Sequence, residues 1–219
     1  MARPSSSSSR SISALFAAAL VLAVGVAACT AGGAQGCALC DPAAFTGQAP
    51  ATFQAAFDTT KGRFVVAVHR DWAPIGADRF YNLVKGGFFD EVRFFRVIGG
   101  QLAQFGMHGD PKVQDAWRDA VVRDDPVMHG NVRGTLSFAS RGPNTRTTQL
   151  FVNLRDNTAY DRLGFAPFAE VVSGMDVVDG LFAGYEERPE QPLIDEEGNE
   201  YLAREFPNLD YVKKAAIVP

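Results

Sequence analysis

The chain has 219 residues, 47% hydrophobic and 21% charged, which is ordinary globular composition and enough length for one domain with additions. A formal net charge of −4 and a pI near 5.4 argue against the global basic footprint that nucleic-acid binding requires.

The chain opens with MARPSSSSSR, which carries Arg3 and Arg10 and no acid, and continues into the uncharged run SISALFAAALVLAVGVAA. A basic start, a short apolar stretch and a small-residue exit predict a secretory signal over residues 1–28. The run of about 18 residues is near the lower limit for a membrane-spanning helix, so an uncleaved anchor is the competing reading. Val26-Ala27-Ala28-Cys29 resembles the bacterial lipobox, in which the cysteine thiol is acylated and becomes the first residue of the mature protein. Cys29 is therefore the expected lipidation site, and its acyl chains would exceed the two-signal minimum for stable anchoring. Ordinary cleavage near Ala28 or Ala34, with release, is the alternative.

All three cysteines lie before residue 41. With Cys29 lipidated, Cys37 and Cys40 remain as a C-x-x-C in an exported protein, where an oxidising compartment favours a local disulfide. A thioredoxin-like redox site needs a strand and a helix around the pair, and GGAQGCALCDPAA supplies neither. Zinc would need two further ligands nearby. The Gly, Ala and Pro content of residues 29–50 predicts a flexible tether carrying this loop.

From Thr52 the pattern becomes short alternating runs. ATFQAAFDTTKGRFVVAVHR predicts two strands around a Lys-Gly turn, with Phe64, Val66 and Val68 on one face. Pro74 suits a first helical turn, Ala77, Phe80, Tyr81 and Val84 follow helical spacing, and Gly86-Gly87 supplies the stop. Two short strands broken at Gly99-Gly100 come next. Residues 106–134 are polar and turn-rich and predict a surface excursion. GTLSFAS and QLFVNL predict strands separated by the breaker-rich loop RGPNTRTT, and GFAPFAEVV a further strand. SGMDVVDGLFAG predicts a second helix with Ser173 as its N-cap. Residues 186–205 are acidic and predict a solvated surface segment, and DYVKKAAIV predicts a last strand that closes a sheet edge. Many short strands with two helices predict a mainly β fold, a barrel or sandwich with helices as plugs.

FFRVIGGQLAQFG, GTLSFASRGPNTRTTQLFV and FAPFAEVVSGMDVVD resemble, in order and spacing, the three signature blocks of the cyclophilin-type peptidyl-prolyl cis–trans isomerases. The resemblance covers about residues 52–185 and the last strand near 212–218. It implies an eight-stranded antiparallel β-barrel capped by two α-helices, here a domain spanning 51–219 with an acidic insert at 186–210.

Residue by residue, the resemblance places Arg96 on the catalytic arginine. Gln104 and Gln149 fall on the polar groups that orient it and hold the substrate backbone. Phe151 falls on an aromatic wall of the proline pocket, Leu102 on the position of a pocket methionine, and Ala139 on a substrate-facing alanine. Ser140 stands where the family usually has asparagine, whose main chain contacts the peptide. Gln101 stands where the family has a phenylalanine, and the family's pocket histidine is missing. Phe165 or Gly164 lies near that histidine's place, and Tyr160 is the candidate for the outer rim.

The implied activity is rotation about X–Pro bonds in polypeptide substrates, without cofactor or metal, by a monomer tethered to the cell envelope or periplasm. The alternatives are a cyclophilin-like module that grips proline segments but isomerises poorly, and a redox protein using Cys37 and Cys40. His69, His108 and His129 show no metal-ligand spacing, and RGPNTRTT matches a family loop beside the cleft, not a nucleic-acid motif.

Overall fold

In the computed structural model, residues 36–219 are the described part of the chain. The expected signal segment 1–28, Cys29 and the first part of the tether lie outside the described residues.

β1 (Thr52–Thr59) and β2 (Arg63–His69) form the opening hairpin. Side-chain alternation sorts its residues: Phe57 and Phe64, directly opposed in register, stack at 4.9 Å in the core, and Val66 and Val68 share that inward face. α1 (Pro74–Lys85) buries Ala77, Phe80, Leu83 and Val84 against the sheet, as its apolar spacing predicts. Its first-turn amides lack helical partners. The Asp125 carboxylate accepts from both Ile75 N and Gly76 N at 2.9 Å, fifty positions away in sequence.

β3 (Arg96–Ile98) and β4 (Leu102–Phe105) make the second hairpin. Its tight turn, closed by Gln101 N donating to Ile98 O at 2.9 Å, puts Gly100 at φ +66°, a conformation glycine adopts freely. α2 (Pro111–Arg118), β5 (Thr135–Phe138), β6 (Leu150–Asn153), β7 (Pro167–Ser173), α3 (Met175–Asp179), α4 (Gln191–Glu197), α5 (Asn199–Glu205) and β8 (Val212–Val218) follow.

All pairings are antiparallel, in the order β3-β4-β6-β5-β7-β2-β1-β8. The two edges meet through the residues ahead of β3. Phe94 N donates to Asp210 O and Val212 N to Val92 O, each at 2.9 Å, which rolls the sheet on itself. The chain forms the expected eight-stranded antiparallel sheet, curled on itself, but with five α-helices among the described residues where two were expected. Its interior is aromatic: Phe57, Phe80, Phe89, Phe105, Phe138 and Phe168 are buried and lie ring to ring. Each such ring contributes roughly 1.5–3 kcal/mol on burial.

Several expectations need correction. The described part of the tether packs on the barrel's helices: Phe45 meets the Trp117 ring at 5.1 Å, Trp117 Nε1 donates to Leu39 O at 2.7 Å, and Ala49 N donates to Asp78 Oδ1 at 2.8 Å. The excursion 106–134 contains α2, whose Val113 and Trp117 are buried. The acidic segment is not merely a solvated surface. α4 and α5 bury Ile194, Tyr201 and Leu202 in a second cluster with Phe95, Met107 and Leu209, leaving their acids outside. Ser173 ends β7 instead of capping a helix; Gly174, at φ +77°, starts α3, which stops at Asp179.

Candidate active site

Register decides which residues reach the outer face. Val97, Ala103, Phe105, Leu150, Val152, Leu136 and Phe138 point inward and are core. The residues between them, Arg96 on β3, Leu102 and Gln104 on β4, Phe151 on β6 and Ser137 on β5, share the other face. Arg96 is the direct cross-strand partner of Gln104, and Gln104 of Phe151. Eight residues of separation in a tight hairpin bring the predicted arginine and glutamine side by side.

Hydrogen bonds then extend across the face. Arg96 Nη1 donates to Gln104 Oε1 at 3.1 Å, Gln104 Nε2 to Gln149 Oε1 at 2.8 Å, and Gln149 Nε2 to Gln191 Oε1 at 3.1 Å. The Nε edge of Arg96 is held by Glu187, whose Oε1 accepts from Nε at 2.8 Å and also from Nη2. Gln104 is 7% exposed, whereas the Arg96 side chain keeps 30% of its surface open. The arginine is thus a paired, rim-placed charge, which avoids the cost of an unpaired buried one.

Beside this row stand three aromatic rings. Phe151 meets Phe165 at 5.5 Å and Tyr160 at 5.7 Å, both edge to face, and Tyr160 meets Phe165 at 5.6 Å. Gln101, polar where the resemblance puts a phenylalanine, has a definite partner: its Nε2 donates to Tyr160 Oη at 2.9 Å. Its backbone carbonyl accepts from Leu154 N at 2.9 Å and Asn157 Nδ2 at 3.0 Å. Leu102 is buried beneath this face.

A cleft of about 300 Å³ lies on the other side of Gln104. Ala139, Ser140 and Gln149 line it, joined by Gln191 from α4 and by Arg118 and Asp119 at the end of α2. The structure therefore brings together Arg96, Gln101, Leu102, Gln104, Ala139, Ser140, Gln149, Phe151, Tyr160 and Phe165 on one outer face. Cys37 and Cys40 are bonded to each other in the turn that packs on α2. Among the described residues no three His, Cys, Asp or Glu side chains gather as metal ligands.

The residues that hold these groups were not legible in the sequence. The segment with Tyr160 and Phe165 is fastened by buried asparagines. Asn131 Nδ2 donates to Asp161 Oδ1 at 2.7 Å and to Phe165 O at 2.8 Å. Asn153 Nδ2 donates to Thr135 Oγ1 at 3.0 Å, and Asn157 Nδ2 to Asn153 Oδ1 at 2.8 Å. The loop carrying Ser140 and Gln149 is fastened at two points. Thr148 Oγ1 donates to Gly106 O at 2.8 Å, and a Cβ on Gly106, at φ +104°, would stand 2.4 Å from Thr148 O. Arg146, 2% exposed, is paired with Asp125 at 3.0 Å, tying the loop to the start of α1. Arg79 lies behind it over the Trp117 ring, and burial together with the Arg146 charge lowers its guanidinium to about 10.

Comparison with known proteins identifies the family and the fold. Residues 54–196 match the family described as cyclophilin type peptidyl-prolyl cis-trans isomerase/CLD. Peptidyl-prolyl cis-trans isomerase B of Escherichia coli is 33% identical over 133 residues, 57% of this chain and 81% of that protein. A peptidyl-prolyl cis-trans isomerase of Schizosaccharomyces pombe is 33% identical over 144 residues, 62% of this chain and 90% of that protein. A solved cyclophilin type peptidyl-prolyl cis-trans isomerase of Cryptosporidium parvum has the same fold, with a TM-score of 0.58 and 18% identity over 77% of this chain and 98% of that one. With the three blocks, the rolled antiparallel sheet and the Arg96–Gln104 pair in place, the chain belongs to the cyclophilin-type peptidyl-prolyl cis–trans isomerase family.

Proposed function

We propose that Arg96, oriented by Gln104, accelerates cis–trans rotation about X–Pro bonds of polypeptides held on the outer face of the barrel. The barrier, about 18–20 kcal/mol, comes from the partial double-bond character of the amide, and uncatalysed rotation takes tens to hundreds of seconds. No covalent bond to substrate is required, only tighter binding of the twisted state than of either planar one. As the C–N bond twists, conjugation is lost and the prolyl nitrogen becomes a better acceptor. A guanidinium donor at that nitrogen stabilises the twisted form selectively, and more so where water is partly excluded. Arginine serves better than lysine because its planar fork can bond a glutamine and still donate.

In this reading Phe151, Tyr160, Phe165 and Leu102 hold the proline ring, while Gln149, Ala139 and Ser140 hold the peptide backbone. The observation that carries it is the cross-strand Arg96–Gln104 bond continued to Gln149 beside the Phe151 ring. A solved relative from Cryptosporidium parvum was studied with the dipeptide Ala-Pro, which supports proline-containing segments as the substrate class. In a protease-coupled isomerisation assay the chain accelerates cleavage of an X-Pro peptide and Arg96→Ala loses most of that acceleration. Equal rates for the two proteins would contradict the role of Arg96.

A second reading, a proline-segment binder with weak isomerase activity, is motivated by Gln101 and the missing pocket histidine. Peptide binding without faster cis–trans exchange would favour it. For location, the basic-apolar start and the Val26–Cys29 run support export, a lipid anchor on Cys29 and service to proteins folding in the envelope. The mass of the mature N-terminus tests this: a diacylated or triacylated Cys29 supports the anchor, and a free terminus elsewhere rejects it.

A further inference from the structure

Arg96 is held from two sides by groups of different origin. Gln104 belongs to the same hairpin, whereas Glu187 arrives ninety-one positions later, on the segment that leads into α4. That segment is seated independently of the arginine. Val97 of β3 bridges Glu186 in antiparallel fashion, Gln114 Nε2 of α2 donates to Asp195 Oδ1 at 2.8 Å, and Ile194, Tyr201 and Leu202 bury against Phe95 and Met107. Phe95 is the residue immediately before Arg96, so the platform carrying Glu187 rests on the strand carrying the arginine. Gln191 on the same segment bonds Gln149.

The donors on Arg96 are therefore divided. A guanidinium has five N–H groups. Glu187 Oε1 takes the single one on Nε and one of the two on Nη2, and Gln104 takes one of the two on Nη1. One hydrogen on each terminal nitrogen keeps no partner among the described residues. Without Glu187 the guanidinium would be fixed at one corner only and could swing about its Nη1–Gln104 contact. With it, the Nε edge is occupied and the terminal edge alone is presented.

We propose that Glu187 is a positioning residue for the isomerase reaction, and that the acidic segment 186–205 is a second wall of the active site whose task is to lock the Nε edge of Arg96. The proposal rests on the catalytic reading of Arg96. Because the carboxylate touches the arginine and not the substrate, its loss affects the step that needs the aimed donor, the twist, more than it affects binding of the planar peptide.

The test compares wild type with Glu187→Ala, Glu187→Gln, Glu186→Ala and Arg96→Ala, by steady-state isomerisation and by the NMR signal of the Arg96 Nε–H. Glu187→Ala lowers kcat by about fivefold, the scale of a partly exposed charge pair, with KM unchanged and the Nε–H signal lost. Glu187→Gln, which keeps an oxygen acceptor, recovers most of the rate and the signal. Glu186→Ala removes the neighbouring charge without touching Arg96 and leaves both unchanged. Wild-type kcat in Glu187→Ala, a raised kcat, or an equal loss in Glu186→Ala would each overturn the proposal. If Arg96→Ala itself kept full activity, the catalytic reading of Arg96 would fail instead, which the same series distinguishes.

Discussion

At Gln101, where the sequence resemblance puts a phenylalanine, the polar side chain finds its partner within the same face. The side chain that fails to offer an aromatic face to proline donates to Tyr160 Oη at 2.9 Å, and Tyr160 closes a three-ring group with Phe151 and Phe165. Gln101→Ala releases the Tyr160 ring; it raises KM for a proline peptide by roughly fivefold, the worth of one hydrogen bond of about 1 kcal/mol, with a smaller change in kcat. Steady-state kinetics read the split directly, and an unchanged KM would show that the Tyr160 tether is idle. Arg96 and Gln104 were found through the resemblance of FFRVIGGQLAQFG to a family signature block, and the tight hairpin is what then makes them cross-strand neighbours. Glu187 could not, because one glutamate among the many acids of residues 186–205 carries no local mark of the arginine it will meet. The asparagines that fasten the aromatic segment were equally silent, since Asn in a turn-rich stretch reads as turn chemistry.

Among the elements, α1 and α2 show opposite degrees of legibility. α1 has a helix-spaced apolar stripe, a proline at its start and glycines at its end, all local signals. Its cap is not local. Asp125 accepts two first-turn amides and pairs with the buried Arg146, so it links α1 to the loop that carries Ser140 and Gln149. Asp125→Ala leaves both amides and a buried guanidinium short of their partner and costs about 3–5 kcal/mol, read as a lowered midpoint in urea. A loss within experimental error would mean that neighbouring groups replace the cap. α2 buries only Val113, Gln114 and Trp117, and its stabilising contacts come from Leu39, Phe45 and α4. Eight residues alone do not announce those distant contacts, but Asp110 as N-cap and Pro111 at the first position are local helix signals that the expected surface excursion passed over. His108, just ahead of α2, packs against Phe88 at 5.1 Å, and burial lowers its pKa from 6.5. The folded chain then binds fewer protons there than the unfolded one, so this contribution to stability is complete above pH 6.5 and is lost as pH falls from 6.5 toward the lower folded value. Thermal melts between neutral pH and about pH 5 show the wild type losing more stability than His108→Gln; parallel curves would contradict it.

Across the whole molecule, alternation alone builds both the core and the site. The same strands that turn Val97, Ala103, Leu150 and Val152 inward turn Arg96, Gln104 and Phe151 outward, so the candidate site needs no separate scaffold. This period-two pattern, with the turn residues between strands, made a mainly β barrel or sandwich readable, and the resemblance of the three blocks implied the eight-stranded barrel. The additions around it were not readable, because the described part of the tether and the acidic insert are ordered by contacts from distant parts of the chain. In the mechanism proposed, a guanidinium held by Gln104 selectively stabilises the twisted X–Pro bond. NMR exchange spectroscopy on an Ala-Pro peptide tests it most directly, since one experiment reports both binding and the rate of interconversion on the protein. Arg96→Ala is predicted to bind the peptide with little change in Kd while the catalysed exchange rate falls on the order of 100-fold, the usual cost of removing one aimed donor. An exchange rate equal to that of the wild type at the same occupancy would contradict it.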